Sequence, residues 1–209
     1  MRRLFAMLVI FVMLAGCAAT SAPSATHQGL SQNTQPTQSG VTQPTTEEMP
    51  NSFSGLGSNM PELTVTCADG QTRSVSELLK EKELIVLNFW FEDCSWCLKE
   101  FPVMELTYQK YKENVEILAL NPSDGAESVK AFAQKYGMTV PMAACNPMLP
   151  RNCGVTAYPT SIFIDRYGVV CLIHVGAITS GTDWETIFDA FTGEDYTQNI
   201  YLDLDELLI

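Results

Sequence analysis

Two cysteines three positions apart, Cys94 and Cys97, lie where an apolar run ends and a helix-like stretch begins. The run over residues 84–91 is almost continuously apolar, which is typical of a central strand covered on both faces. Because residues i and i+3 share one face of a helix, the two sulfurs can close into a disulfide and reopen with little backbone movement. The chain is therefore constrained to place a strand, a short turn and a helix in that order.

Cys94 stands at the start of that helix, where a cysteine is more reactive than elsewhere. Unpaired backbone N–H groups and the positive end of the helix dipole stabilise a thiolate at this position. The thiolate is the form of cysteine that attacks a disulfide or binds a soft metal. The two cysteines by themselves therefore permit a redox couple, a metal site or a structural bridge.

The first seventeen residues carry the features of an exported protein. Two arginines form a short positive start, residues 4–14 are uncharged and apolar, and small residues lead to Cys17. The sequence Leu-Ala-Gly-Cys at residues 14–17 is similar to the lipobox of bacterial exported lipoproteins, which implies a signal peptide over residues 1–16 and a lipid on Cys17. A retained membrane anchor is the alternative, but eleven apolar residues fall short of the roughly twenty that span a bilayer.

Residues 17–52 have the composition of a tether rather than of a folded element. After Cys17 they consist mainly of Ser, Thr, Gln, Pro, Asn and Gly, and such a stretch cannot bury enough apolar area to offset its ordering entropy. A coil of about 34 residues has a root-mean-square reach of roughly 30 to 35 Å. The sequence therefore predicts a spacer that holds a domain just clear of a membrane surface.

Charge restricts the partners that this chain can attract. It has 24 acidic against 12 basic residues and a formal net charge of −12. Loss of the signal peptide with its two arginines would leave 10 basic residues and a charge of −14. So acidic a surface argues against nucleic acid and against electrostatic docking on anionic lipid. Anchoring to a membrane then depends on the lipid of Cys17.

The remaining chain predicts one α/β domain over residues 53–192, followed by an acidic extension over residues 193–209. Apolar runs and alternation predict strands, and apolar positions at helical spacing predict helices. Their order indicates a mixed central sheet with helices on both faces and an N-terminal hairpin extension. The predicted strands are residues 63–66, 72–75, 84–91, 115–120, 139–144, 161–165 and 169–175, and the predicted helices contain residues 101–111, 129–136 and 184–191.

Four further cysteines remain once Cys17 and the dithiol are set aside: Cys67, Cys145, Cys153 and Cys171. In an oxidising compartment, four thiols can form two structural disulfides. Spacing favours a bridge between Cys145 and Cys153, which would staple the Pro-rich connection between them. Cys67 and Cys171 would then form the other pair. Buried free thiols are the alternative for some of these residues, and a second redox pair that passes electrons to the first is a third.

Four short motifs follow one another along the domain. They are Asn88-Phe89-Trp90, the dithiol, Glu100-Phe101-Pro102, and Tyr158-Pro159-Thr160 ahead of residues 163–165 and Gly168. In this order they resemble the thioredoxin fold, and more narrowly the TlpA- and ResA-like exported thiol-disulfide oxidoreductases. That group includes the membrane-tethered reductases of cytochrome c maturation. The resemblance covers about residues 61–192 and implies a thioredoxin-like fold.

The resemblance also implies roles for single residues. Cys94 would attack a substrate disulfide, and Cys97 would resolve the mixed disulfide by attacking Cys94. Pro159 corresponds to the family's cis-proline, which would bring the Tyr158 backbone beside the dithiol to pair with an extended substrate segment. Glu100 matches an acidic residue of the ResA-like branch, where a partly desolvated carboxylate can take or give the proton of the resolving thiol. A solvated helix carboxylate is the alternative for Glu100.

Two positions depart from the family pattern. Asp93 stands where the family usually has tryptophan before the first cysteine, and Glu92 precedes it. Negative charge there disfavours the Cys94 thiolate and shifts the couple toward the reducing end. Trp96 stands where the family often has proline, so the turn between the cysteines loses a conformational restraint. An exposed Trp96 would give a protein partner an apolar foothold, and packing against the domain is the alternative.

These observations predict a membrane-anchored, extracytoplasmic thiol-disulfide oxidoreductase that acts mainly as a reductase of protein disulfides. Its redox group would be the Cys94–Cys97 pair without a bound cofactor or metal, and by resemblance a membrane thiol reductant of the CcdA/DsbD type would regenerate it. A disulfide-forming oxidase is the alternative within the same chemistry. A copper- or zinc-binding lipoprotein is another, although the only histidines, His27 and His174, lie in the tether and in a strand. A binding module with a structural bridge is the last alternative.

Overall fold

The computed structural model describes residues 53–197. The predicted signal peptide, Cys17 and the tether lie outside the described residues, as do residues 198–209 of the predicted extension. None of the helices in the described range is long and apolar enough to cross a membrane. In chain order the elements are β1 (Thr64–Thr66), β2 (Thr72–Ser74), α1 (Val75–Leu78), β3 (Leu84–Phe89), α2 (Ser95–Tyr111), β4 (Val115–Asn121), α3 (Ala126–Tyr136), β5 (Met142–Ala144), α4 (Leu149–Asn152), β6 (Thr160–Asp165), β7 (Val170–Val175) and α5 (Gly181–Phe191).

Five strands form the central sheet in the order β5-β4-β3-β6-β7. β3 runs parallel to β4 and β4 to β5, whereas β6 is antiparallel to both β3 and β7. Every residue of β3 and β4 is buried, because both faces of the sheet are covered. α2, α3 and α5 pack on one face, and α1, α4 and the β1–β2 hairpin pack on the other. The predicted mixed sheet with an N-terminal hairpin is therefore confirmed.

Local sequence signals set the helix ends. α2 begins after Cys94, whose sulfur accepts a hydrogen bond from the Cys97 N–H group at 3.2 Å. α3 ends at Gly137, whose φ of 62° is left-handed and unstrained for glycine. Ser180 caps α5 by accepting from the Asp183 N–H group. The apolar residues predicted for one face of α5 are all buried: Trp184, Ile187, Phe188 and Phe191.

Two elements between α3 and β6 differ from the prediction. The strand predicted over residues 139–144 is β5, which begins only at Met142. The Thr139 and Val140 N–H groups instead donate to the Glu105 carboxylate of α2, at 2.9 and 3.0 Å, and so do not continue the ladder. The connection after β5 contains the one-turn helix α4, which its Pro-rich sequence does not predict.

Short segments cover the outer edges of the sheet. On β7, the Val170 N–H group donates to the Ser58 carbonyl at 2.9 Å, and the Gly57 N–H group donates to the Val170 carbonyl at 2.8 Å. On β5, the Ala68 N–H group donates to the Met142 carbonyl at 2.7 Å. Both covering segments come from the chain that precedes β3.

The chain after α5 returns to the end of the sheet opposite the dithiol. The Tyr196 hydroxyl donates to the buried Asp165 carboxylate at 2.8 Å, and the Gly193 N–H group donates to the Glu83 carboxylate at 2.7 Å. Glu83 directly precedes β3 and Asp165 ends β6, whereas the dithiol follows the other end of β3. The first residues of the predicted extension therefore pack on the domain.

Candidate active site

Cys94 and Cys97 form a disulfide at the N-terminus of α2, with an S–S distance of 2.03 Å and a Cα–Cα distance of 5.3 Å. Cys94 is 6% exposed and Cys97 is fully buried. Both belong to the apolar cluster that also contains Trp90, Phe101 and Phe132. A partner that approaches from solvent therefore meets Cys94 first, which agrees with the order of attack that the resemblance implies.

The loop between β3 and α2 is held by the end of β4. The Glu92 N–H group donates to the Asp124 carboxylate at 2.9 Å, and the Asn121 side-chain amide donates to the same carboxylate at 2.8 Å. The Asn121 side-chain oxygen accepts in turn from the N–H groups of Ser123 and Asp124. Because β3 and β4 are parallel, their following loops meet at one edge of the sheet. Sequence reasoning missed Asn121 and Asp124, although polar residues directly after a buried strand are a usable signal.

Acidic and aromatic side chains surround the dithiol at the surface. Asp93 is exposed, and Glu92 accepts a hydrogen bond from the Ser128 hydroxyl at 2.5 Å. Trp96 is 57% exposed, and the Lys99 ammonium lies 3.9 Å from the centroid of its ring. Trp96 therefore does not pack against the domain. A cavity of about 220 Å³ lies between the start of α2 and α3, and its lining includes Glu92, Asp93, Leu98, Phe132, Lys135 and Tyr136.

The Tyr158–Pro159 peptide bond is cis, as the resemblance implies. It precedes β6, which pairs with β3 so that Thr160 lies opposite Phe89. The bond therefore lies at the end of β3 from which the chain continues to the dithiol. The Tyr158 ring contacts the Phe91 ring edge-on, with centroids 5.3 Å apart. The structure thus brings Tyr158 and Pro159 to the dithiol edge of the sheet.

Glu100 lies one turn after Cys97 on α2 and is fully buried. Its two carboxylate oxygens accept from different donors at 2.9 Å, Oε1 from the Ile178 N–H group and Oε2 from the Asn88 side-chain amide. Burial raises the pKa of Glu100 to about 7, and these two hydrogen bonds offset part of the rise. The solvated carboxylate is therefore excluded. A carboxyl of this kind can exchange protons near neutral pH.

The Asn88 amide extends the surroundings of Glu100 to a second strand. Asn88 lies on β3 opposite Ser161 on β6, and both side chains are fully buried. Besides its bond to Glu100, Asn88 Nδ2 donates to Ser161 Oγ at 3.0 Å. Sequence reasoning used Asn88 only as part of a motif and missed Ser161 and Ile178. A lone amide inside an apolar run is the signal that was available.

The four described cysteines outside the dithiol are free thiols, which contradicts the predicted bridges. Cys67 and Cys171 belong to apolar clusters on opposite faces of the sheet, so the sheet separates them. Cys145 and Cys153 flank α4 on one face, yet they do not form the predicted disulfide. Burial raises the pKa of both thiols to about 12, so the thiolate that disulfide exchange requires is scarce at neutral pH.

The histidines considered as metal ligands lie apart from the dithiol in the sequence. His174 is on β7, as predicted, and burial lowers its pKa. His27 lies outside the described range. Among residues 53–197, no group of three or more His, Cys, Asp or Glu side chains is arranged to hold a metal ion.

The chain resembles known proteins over most of the domain. Residues 55–188 match the sequence profile of the Redoxin family. The thioredoxin-like protein YneN of Bacillus subtilis is 30% identical over 126 residues, which are 59% of this chain and 73% of YneN. The thiol-disulfide oxidoreductase ResA of Bacillus thuringiensis is 36% identical over 117 residues, 55% of this chain and 66% of ResA. The crystal structure of a thioredoxin-family thiol:disulfide interchange protein from Chlorobium tepidum covers 66% of this chain and 97% of its own, with 26% identity and a TM-score of 0.58.

The fold, the dithiol at the start of α2 and the neighbouring cis-proline together define a thiol-disulfide oxidoreductase with a thioredoxin fold. The chain belongs to the Redoxin family, on its TlpA- and ResA-like branch. The predicted fold and the predicted class of enzyme are thereby confirmed.

Proposed function

We propose that this protein is an extracytoplasmic, lipid-anchored reductase of protein disulfides. The observation that carries the proposal is the Cys94–Cys97 disulfide at the N-terminus of α2, one turn from the Glu100 carboxyl, whose pKa burial raises to about 7. The dithiol is itself the redox group, and no bound cofactor or metal takes part in the cycle.

Reduction begins with the Cys94 thiolate, which the N-terminus of α2 stabilises. It attacks one sulfur of a substrate disulfide, and the other substrate sulfur leaves as a thiolate that takes a proton from solvent. Glu100 then accepts the proton of the Cys97 thiol. The Cys97 thiolate attacks the Cys94 sulfur and closes the enzyme disulfide. The second substrate sulfur leaves and takes the proton from Glu100, so two electrons have passed from the dithiol to the substrate.

A second protein must then reduce the enzyme disulfide. By resemblance, the donor is a membrane thiol reductant of the CcdA/DsbD type, whose thiolate attacks Cys94 as the more exposed of the two cysteines. The donor dithiol becomes a disulfide, and Cys94 and Cys97 return to thiols. Cytochrome c maturation is the process that the resemblance supplies for such a cycle.

Two surface features support a polypeptide as the substrate. The backbone of Tyr158, beside Pro159, lies at the dithiol edge of the sheet, where an extended segment can pair with it. The exposed ring of Trp96 offers that segment an apolar contact next to the disulfide.

The reducing direction is supported by the charges that precede the dithiol. Glu92 and Asp93 disfavour the Cys94 thiolate, whereas a strong oxidase needs a strongly stabilised thiolate. In a glutathione redox buffer we expect the Cys94–Cys97 pair to have a reduction potential of about −270 mV, the value typical of thioredoxin. A potential near about −120 mV would support a disulfide-forming oxidase instead.

Insulin reduction tests the activity directly. We expect turnover by the wild type, none by Cys94→Ser, and wild-type turnover by Cys67→Ser, which replaces a buried free thiol away from the dithiol. Cys97→Ser should accumulate a mixed disulfide with the natural substrate, because its resolving thiol is missing. A wild-type protein that does not reduce insulin would favour a binding module with a structural bridge.

The lipobox is the basis for the proposed location on the outer face of the cytoplasmic membrane. A diacylglyceryl group on Cys17 would hold the protein there, with residues 17–52 as the tether. The wild type should fractionate with membranes, and Cys17→Ala should not. Equal fractionation of the two proteins would contradict the lipid anchor.

A further inference from the structure

Asn88 is a fully buried amide in the otherwise apolar strand β3. Its Nδ2 group donates two hydrogen bonds, to Glu100 Oε2 at 2.9 Å and to Ser161 Oγ at 3.0 Å. Its Oδ1 atom has no hydrogen-bond partner among the residues that the structure describes. A buried amide oxygen without a donor costs free energy. In this orientation the Nδ2 group has hydrogen-bond partners and the Oδ1 atom has none in the described part of the chain.

The hydrogen bonds of Glu100 suit its ionised form alone. Each carboxylate oxygen accepts from an N–H group, Oε1 from Ile178 and Oε2 from Asn88. A protonated carboxyl carries an O–H donor, and neither the Ile178 N–H group nor the Asn88 Nδ2 group offers it an acceptor. The neutral form therefore needs an acceptor in place of one donor. The backbone N–H group of Ile178 cannot supply one, whereas the Asn88 amide carries an oxygen without a partner.

We propose that Asn88 is a positioning residue that serves both protonation states of Glu100 by turning its side-chain amide through half a rotation. With Glu100 ionised, Nδ2 donates to the carboxylate, as in the structure. With Glu100 neutral, the turned amide presents Oδ1, which accepts from the Glu100 O–H group and from the Ser161 hydroxyl. A hydroxyl can both donate and accept, so Ser161 serves either orientation.

The titratable groups on the elements around Glu100 do not set its charge. They include His174 on β7 and Asp183 near the start of α5, and Cys97 on α2 is held in the disulfide. The causes that act on the pKa of Glu100 are burial, a backbone N–H group and the Asn88 amide. The charge that acts on His174 is that of Asp183. Asn88 is therefore the one side chain among these causes, beside burial and the backbone N–H group.

The part that Asn88 plays in turnover rests on the proposed function, in which a proton moves from the Cys97 thiol to Glu100 and on to the departing substrate sulfur. A side chain with only a donor would favour the ionised carboxylate, and one with only an acceptor would favour the neutral form. An amide that turns keeps the Glu100 carboxyl hydrogen-bonded in both forms, so neither direction of proton transfer leaves a buried carboxyl O–H group without an acceptor.

The wild-type protein gives the first test, by NMR titration with the dithiol kept oxidised. The signal of the Glu100 carboxyl carbon should move with a midpoint near pH 7, the value to which burial raises its pKa. The side-chain amide signals of Asn88 should move with the same midpoint. Asn88 signals that stay constant while Glu100 titrates would overturn the proposal.

Two variants give the second test. Asn88→Leu removes the partner of both forms of Glu100 at nearly unchanged size. Because a hydrogen bond to a charged group is worth more than one to a neutral group, the Glu100 midpoint should rise by about one pH unit. Ser161→Ala is the matched control, because it leaves the bond between Asn88 and Glu100 in place and should move the midpoint much less. An unchanged midpoint in Asn88→Leu, or an equal rise in Ser161→Ala, would overturn the proposal.

Insulin reduction separates the failure of this proposal from that of the proposed function. If the wild type does not reduce insulin while both titrations behave as expected, the reductase function fails and the assignment of Asn88 stands. If the wild type is active and Asn88→Leu has the same pH profile of the rate, the assignment of Asn88 to the proton step fails.

Discussion

Glu100 makes the stability of this protein depend on pH in the weakly acidic range. Burial raises its pKa from the usual 4.5 to about 7, so between these values the folded protein keeps a proton that the unfolded chain has released. The free energy of unfolding therefore falls as the pH rises through this window, and this contribution is constant above it. At about 1.4 kcal/mol per pH unit, the loss amounts to about 3 kcal/mol.

Glu100→Gln should remove this dependence. The free energy of unfolding of the oxidised protein is measured in urea at pH 4 and at pH 8. From the lower to the higher pH, we expect it to fall by about 3 kcal/mol more in the wild type than in the variant. The change in the free energy of unfolding with pH is compared, and not its absolute value, because glutamine replaces one acceptor oxygen by an NH₂ group and lowers stability at every pH. An equal change in the free energy of unfolding with pH in the two proteins would contradict a buried carboxyl that titrates near neutrality.

At the scale of elements, the end of β4 holds the loop that carries the dithiol. Asp124 accepts from the Glu92 N–H group and from the Asn121 amide. Asp124→Ala should lower the free energy of unfolding by about 1 to 3 kcal/mol, because both donors lose their acceptor. It should also slow insulin reduction several-fold, since the loop before Cys94 is no longer held.

Asp124→Asn is the matched control for that prediction. Its side-chain oxygen can still accept from the Glu92 N–H group, so both its stability and its rate should lie between those of Asp124→Ala and the wild type. Urea unfolding and initial rates of insulin reduction measure the two effects. A wild-type rate in Asp124→Ala would show that the dithiol loop keeps its position without this contact.

The elements that could be predicted from the sequence are those whose signals are local. The runs that became β3 and β4 are mostly apolar because both faces are covered, and the predicted helix over residues 129–136 lies within α3. β5 is shorter than predicted because Glu105, distant in sequence, binds two N–H groups of the predicted strand. α4 is a single turn, too short for an apolar period to appear.

The same distinction applies to the site. Cys94, Cys97 and Pro159 belong to short motifs and could be found without a structure. Asn88 and Ser161 are 73 positions apart, and only the pairing of β3 with β6 brings them together. The predicted Cys145–Cys153 bridge rested on spacing alone, and the structure has both residues as free thiols.

At the scale of the whole molecule, the two ends of the sheet have separate tasks. The dithiol edge carries the chemistry, and the opposite end binds the chain after α5 through Tyr196 and Asp165. Tyr196→Phe should lower the free energy of unfolding in urea by about 1 to 3 kcal/mol, because the buried Asp165 carboxylate loses a donor. Insulin reduction should stay at the wild-type rate. A slower rate at unchanged stability would mean that the two ends of the sheet are coupled.

The segments along β5 and β7 have a consequence for how copies of this protein meet. A bare outer strand offers its N–H and C=O groups to any extended chain, which leads to addition of foreign strands and to aggregation. Here Ala68 occupies a carbonyl on one side, and Gly57 with Ser58 occupies the backbone on the other. At these points of the two outer strands, a second copy of the protein therefore finds no free backbone group to pair with.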